Sequence, residues 1–340
     1  MIPSENILHA LGALGDSIQK RSPELDAIIH RSSVHNPWFT KENIHLALQN
    51  IAIHYLNKNA LQNWVTNYQV PVSAPKNIGL VMAGNIPAVG FHDMISVLLS
   101  GHRVQIKLSE KDLYLIPWMI KKLTQYLPAL EKRISVVTRL KGFDAVIATG
   151  SDNSARYFLQ YFSNYPHVIR RNRNAVAVLD GNETPGQLKE LSHDIFSFFG
   201  LGCRNVSKIY IPAGYQFDDF VAGIKQYEHL VNHNKYKNNI DYNAAIYILN
   251  KMPNISLPHL MLIEKPEIIS RIGCLHYSYY DQTDQLKGHL IEHKSDIQCI
   301  VTDSIQLMND ISVVPFGNTQ KPALTDYADG VDTMEFLSKL

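Results

Sequence analysis

A cysteine set among glycines is the first candidate for covalent chemistry. Cys203 stands in F-F-G-L-G-C-R-N (198–205), where a helical pattern ends, Gly200 and Gly202 flank a tight turn, and a strand pattern begins near Ser207. A thiolate exposed in such a loop is a strong nucleophile, and a neighbouring cation such as Arg204 favours the ionised form. Free cysteine also serves as a small buried apolar residue, so the local context leaves both roles open. Asn85 in A-G-N-I-P (83–87) follows an apolar run. Its amide could donate to an oxyanion or cap the next helix. K-L-S-E (107–110) sets Lys107 and Glu110 around Ser109. These side chains suit ribose hydroxyls or a phosphate, or simply a solvated strand end. T-G-S (149–151) puts Gly150 and Ser151 ahead of a helical pattern. That arrangement binds pyrophosphate, or is a plain cap.

Strands and helices must position these residues. Residues 78–84 (IGLVMAG) predict a buried strand, and 87–100 a largely buried helix opened by Pro87. Strands over 103–108, 134–138 and 145–149 alternate with helices over 111–127 and 154–162. A second cycle runs through a strand at 175–180, a helix from Thr184–Pro185 to about Phe199, a strand at 207–212 and a helix at 216–230. The asparagine-rich stretch 232–243 is expected at the surface, with further strands at 245–249 and 298–302. The first 77 residues are expected to be mainly helical, a layer packed on the first sheet. Strand–helix alternation with short connections implies parallel sheets covered on both faces. Ligands gather beyond the carboxyl ends of such strands, where Asn85, Lys107 and Gly150 fall.

Composition narrows the function. With 45% apolar and 19% charged residues over 340 positions, the chain is globular rather than disordered. A net charge of +1 gives no general pull toward nucleic acid. No apolar run reaches the roughly 18 residues that a membrane helix needs, and the first residues do not resemble a signal peptide. Three scattered cysteines suit a reducing, cytoplasmic compartment. No G-x-G-x-x-G follows a strand and no Walker sequence occurs. His229 and His233 lack the glutamate of the zinc protease motif, and no metal site is expected. Cys274 and Cys299 lie in or beside apolar runs and are expected in the core.

Together the motifs resemble the aldehyde dehydrogenase superfamily. A-G-N-I-P-A-V-G-F is similar to its strand–turn–helix with the oxyanion asparagine, here Asn85. V-Q-I-K-L-S-E is similar to its adenosine-ribose strand, matching Lys107, Ser109 and Glu110. A-T-G-S is similar to its nucleotide-binding turn, matching Gly150 and Ser151. F-F-G-L-G-C-R-N resembles the nucleophile loop, and V-P-F-G-N (314–318) the late loop that returns to the active site with Phe316. Within the superfamily, G-N-I-P-A-V-G and L-G-C-R-N-V-S most resemble acyl-CoA reductases of the LuxC type.

The resemblance implies an aldehyde dehydrogenase-like α/β fold of two interleaved three-layer domains with mainly parallel sheets. The nucleotide domain would take residues 1–171 plus 313–340, and the catalytic domain 172–312. It implies reduction of an acyl-CoA or other acyl thioester to an aldehyde through an acyl-cysteine at Cys203, with NADPH as hydride donor. Glu110 leaves NADH open, because a carboxylate repels a 2′-phosphate and welcomes a free 2′-hydroxyl. By spacing, the superfamily's deacylating glutamate would fall near Ile169, inside H-V-I-R-R-N-R-N, and no acid occurs from Tyr165 to Leu179. A reductase needs no such base. The glutamate near the nicotinamide ribose is also absent, its region reading I-G-C-L-H (272–276). Arg170, Arg171 and Arg173 suit CoA phosphates or a solvated basic turn. The alternatives are an acyl-phosphate reductase that forms a semialdehyde, and a catalytically silent scaffold of the same fold. A homodimer, or a partner enzyme consuming the aldehyde, would fit either activity.

Overall fold

Strands buried on both faces carry continuous apolar runs, and the central strands of both sheets are built this way. The structure is a computed structural model that describes residues 2–303 and 311–340. It has two units, the first running to Asn172 and including Pro322–Leu340, the second Arg173–Lys321.

In the first unit, helices α1 (Ser4–Gln19), α2 (Pro23–His35), α3 (Lys41–Asn50) and α4 (Lys58–Val65) precede the sheet. Ser22, Thr40 and Asn57 cap α2, α3 and α4, each accepting the N–H three residues on. Next come β1 (Asn77–Val81), α5 (Phe91–Leu99), β2 (Arg103–Lys107), α6 (Leu115–Tyr126), β3 (Ile134–Val136), β4 (Ala145–Thr149), α7 (Asp152–Phe162) and β5 (His167–Arg170). The strands are parallel in the order β3-β2-β1-β4-β5. Ile78, Leu80, Val104 and Ile106 join the apolar residues of α1–α6 in one core. Val81, Val146 and Ala148 meet Phe158 and Phe162 of α7 in another.

The second unit comprises β6 (Asn174–Val178), α8 (Pro185–Phe196), β7 (Val206–Pro212), α9 (Asp218–Ile224), α10 (Asn234–Leu249), β8 (Asn254–Ser256), β9 (Met261–Glu264), β10 (Cys274–Tyr280), α11 (Thr283–Glu292), β11 (Ile297–Val301) and β12 (Val313–Val314). Its sheet has the order β12-β11-β6-β7-β10-β9-β8, parallel except for β8 against β9. Thr184 and Gln187 form a capping box at the start of α8. Val313–Val314 pair with β11, so residues 313–321 belong to this unit and the return to the first falls at Pro322. The tail then buries Leu324, Met334 and Leu337 in the first unit's core. Its last helix, α12 (Thr333–Ser338), is held there when the buried His102 donates from Nε2 to the Leu337 carbonyl at 2.9 Å.

Three sequence expectations are corrected. The helix predicted from Pro87 starts at Phe91 because Ala88 has φ 55°, a left-handed conformation no right-handed helix admits. The strand predicted at 245–249 is instead the end of a helix, α10, which also takes up most of 232–243, a stretch that is largely exposed as expected. Tyr236, Ile240, Asn243 and Tyr247 are its buried stripe at helical spacing. The helix predicted at 216–230 is α9 followed by a 3-10 segment over Lys225–Asn232.

Candidate active site

Cys203 occupies the turn between α8 and β7. The Asn205 N–H donates to the Gly202 carbonyl at 3.0 Å, which puts Cys203 and Arg204 at the two central positions. The Asn205 side chain braces the same turn. Its Oδ1 accepts the Gly202 N–H at 2.8 Å, and its Nδ2 donates to the carbonyls of Asp194 at 3.0 Å and Ser197 at 2.9 Å. Upstream, Phe198 (φ 53°), Phe199 (φ 59°) and Gly200 (φ 74°) form a left-handed run. Only the glycine adopts it freely; each phenylalanine costs roughly 1–2 kcal/mol. Burial offsets that cost: Phe199 lies 4.5 Å from the His233 ring and 5.7 Å from the Tyr236 ring, between centroids. The loop is thus strained and over-determined, the condition under which strain persists.

The three cysteines differ in access. Cys203 is half-buried, whereas Cys274 and Cys299 are buried, and none forms a disulfide. Burial pushes the Cys274 thiol up to about 12, so it stays protonated and inert.

Asn85 lies in the loop between β1 and α5, half-buried. Asp112 fixes that loop, accepting the Ala88 N–H at 2.7 Å through Oδ2 and the Leu115 N–H at 3.4 Å through Oδ1. Burial pushes its carboxyl up to about 6, against the pull of those two donors. Ser109 packs beneath the same loop: a Cβ on Gly84 would come within 2.7 Å of Ser109 Cβ, so only glycine fits. Lys107 ends β2, exposed, beside Val81 of β1. Glu110 is exposed in the following turn, whose carbonyl accepts from His35 Nε2 at 2.6 Å. Gly150 lets α7 close on β4, where a Cβ would meet Ser154 Cβ at 2.7 Å. Ser151 is the N-cap of α7 and accepts the Ser154 N–H at 3.4 Å.

In the order β3-β2-β1-β4-β5 the chain reverses direction between β1 and β4. Such a switch point is where open parallel sheets bind nucleotides. Asn85 follows β1, and Gly150 and Ser151 follow β4, so they flank it; Lys107, Ser109 and Glu110 lie one strand over. Phe316 belongs to the second unit and is buried. Its loop is anchored by Asp194, which accepts the Gly317 N–H at 2.7 Å and the Thr319 N–H at 3.0 Å. Burial also lifts this carboxyl to about 6.

The sequence profile of the acyl-CoA reductase (LuxC) family matches residues 20–268. The chain belongs to the LuxC acyl-CoA reductase family. The family's activity is reduction of an acyl-CoA, which makes the protein an oxidoreductase acting on the aldehyde group. No curated protein matches the sequence. Among solved structures, it is similar in fold to a Mycobacterium tuberculosis aldehyde dehydrogenase complexed with NAD+, at 13% identity and TM-score 0.66, covering 92% of this chain and 77% of that one. An NAD+ complex of a Bacillus cereus aldehyde dehydrogenase gives 12% identity and TM-score 0.66, with 92% and 76% covered. Escherichia coli lactaldehyde dehydrogenase gives 14% and 0.65, with 90% and 76% covered. The aldehyde dehydrogenase-like fold is therefore established.

In this LuxC-family chain, the acid-free run from Tyr165 to Leu179 passes through β5 and β6. Ile169 pairs with Ala148, and Arg170 is a buried structural cation rather than part of a basic turn. Its Nη2 donates to Asp93 at 2.6 Å and to Thr333 Oγ1 at 2.8 Å, and its Nη1 to the Ala328 carbonyl. Three of its five N–H donors are engaged in this way and the side chain is buried, so it is not presented to a CoA phosphate. In the stretch I-G-C-L-H (272–276), Cys274 is buried. His229 and His233 hold local backbone: His229 Nδ1 donates to the Gln226 carbonyl, and His233 Nδ1 accepts the Tyr236 N–H as the cap of α10. Sequence reasoning missed Asn205, Asp112 and Asp194 as anchors of the three loops. Their polarity beside glycine-rich turns was the only available signal.

Proposed function

We propose that Cys203 is the acyl-carrying nucleophile of this reductase and Asn85 its oxyanion donor. The Cys203 sulfur bonds the thioester carbonyl carbon. The Asn85 amide and the Cys203 N–H donate to the oxygen as it becomes anionic. The bond to the CoA sulfur breaks, CoA leaves carrying the proton the cysteine gave up, and an acyl-cysteine remains. A reduced nicotinamide, when bound, supplies the hydride that takes the acyl carbon to the aldehyde level. The Cys203 sulfur is then the leaving group and is regenerated as thiolate when the aldehyde departs. Without an acid in the β5 segment, no side chain there activates water, so the acyl group is kept for reduction.

The observation that carries this reading is the half-exposed Cys203 at the centre of a turn braced twice by Asn205, in a chain whose other cysteines are buried. The strand ends of the first unit fit a dinucleotide. Lys107 offers an exposed ammonium, and the first N–H groups of α7 beside Gly150 and Ser151 suit a pyrophosphate. NADPH is the preferred donor in this reading, with Lys107 on the 2′-phosphate and Glu110 opposing it; Ser109 shapes the loop, and Phe316 lines the late loop. Aldehyde formation from acyl-CoA should vanish in Cys203→Ala with either nucleotide, while nucleotide binding, read by fluorescence titration, should survive. Aldehyde formation by that variant would overturn the proposal.

A further inference from the structure

α11 ends on His289, Leu290, Ile291 and Glu292, and His293 caps it. The His293 N–H donates to the His289 carbonyl at 3.1 Å, so the last turn is intact and the two imidazoles stand one turn apart on one side. Their ring centroids are 4.4 Å apart. One ligand atom each from His289, Glu292 and His293 lie within 4.8 Å of one another. Both histidines are half-buried and Glu292 is exposed, so its side chain is free to swing the last ångström. Asp296 Oδ2 lies 3.9 Å from His293 Nδ1, within reach as an outer carboxylate that orients a ligating imidazole.

A further observation points to a cation. The carbonyls of a helix's last turn carry its negative end, which favours positive charge where this cluster sits. Tyr210 of β7 packs edge-on against His289 at 5.7 Å, and its hydroxyl is buried with no hydrogen-bond partner among the described residues.

We propose that His289, His293 and Glu292 form a binding site for a divalent transition ion of the zinc class. Two imidazoles and a carboxylate suit zinc, and they leave a fourth position for water. The spacing His-x-x-Glu-His is one that sets zinc between two histidines of a helix. Such an ion would clamp the end of α11 over β7, the strand that follows Cys203.

The test is equilibrium dialysis of the full chain against micromolar Zn2+, with bound metal counted by atomic emission. Cys203→Ser and His229→Ala serve as controls for thiolate and stray imidazole binding. The proposal expects one Zn2+ per chain in wild type and both controls. His289→Ala and His293→Ala should each weaken binding at least about a hundredfold, since even outer-shell partners are worth roughly 10–100-fold. Zn2+ should raise the Tm of wild type and not that of either variant. If His289→Ala folds poorly without metal, His293→Ala at the helix end decides. No retained zinc in wild type, or unchanged retention in the folded variants, would overturn it.

Discussion

The loop that carries Asn85 and the loop that carries Cys203 both contain left-handed non-glycine residues, yet groups of different chemistry fasten them. Ala88 (φ 55°) is held by a buried carboxylate, Asp112. Phe198, Phe199 and the cysteine turn are held by a neutral amide, Asn205, together with aromatic packing. An amide anchors at every pH. A carboxyl lifted to about 6 changes its acceptor strength just below neutrality. The late loop of Phe316 follows the Asn85 pattern, with Asp194 also lifted to about 6. The proposed nucleophile therefore sits on a pH-insensitive brace, and the proposed oxyanion donor on a pH-sensitive one.

Breaking the amide brace should have the largest effect. Asn205→Ala strands the Gly202 N–H and the carbonyls of Asp194 and Ser197 in the interior. At about 1–3 kcal/mol for each of these three unmet groups, urea unfolding should lose roughly 3–9 kcal/mol. Asn205→Asp should lose less at low pH and progressively more as pH rises, because the new carboxylate would face carbonyls. A variant as stable as wild type would remove the brace from the account.

Next is the donor itself. Asn85→Ala should lower kcat about 100–1000-fold, the usual range for one oxyanion donor. A loss confined to KM would assign Asn85 to binding alone.

Asp112→Asn then sharpens the pH contrast. The Asp112 carboxyl titrates near 6 folded against an ordinary 3.8, so between these values the folded chain keeps a proton the unfolded chain has released. That contribution is fully present below 3.8 and is lost as pH rises to about 6. Wild-type stability minus that of Asp112→Asn should therefore fall across this window, by up to about 3 kcal/mol at ~1.4 kcal/mol per unit, and stay level above it. A flat difference would mean the carboxyl is not lifted.

The smallest effect expected is at an exposed charge. Glu110→Gln should lower the KM for NADPH about two- to fivefold at low salt and leave that for NADH nearly unchanged, as suits a screened surface charge. Equal shifts for both nucleotides would remove Glu110 from the ribose site.

Strand–helix alternation was readable because parallel strands are apolar throughout: Ile78–Val81 and Ala145–Ala148 stand out from any neighbour. α10 was not readable, since a helix presenting about one buried residue per turn among asparagines looks like a surface stretch until its partners are known. The candidate site was legible in its chemical residues, because cysteine, asparagine and lysine at strand ends announce themselves. Its anchors were not: Asn205 reaches the Asp194 carbonyl eleven residues back, and Asp112 reaches Ala88 across twenty-four. Arg170 misled for the same reason, since Asp93, Ala328 and Thr333 turn a basic run into buried structure only after the tail returns.

Intact-protein mass spectrometry tests the central claim, that Cys203 carries the acyl group. Wild type and Cys203→Ala would be mixed with short, medium and long acyl-CoAs without nucleotide. One acyl mass is expected on wild type alone, strongest with the preferred chain length and discharged when NADPH is added. An adduct of equal yield on Cys203→Ala, or none on wild type with any chain, would contradict it.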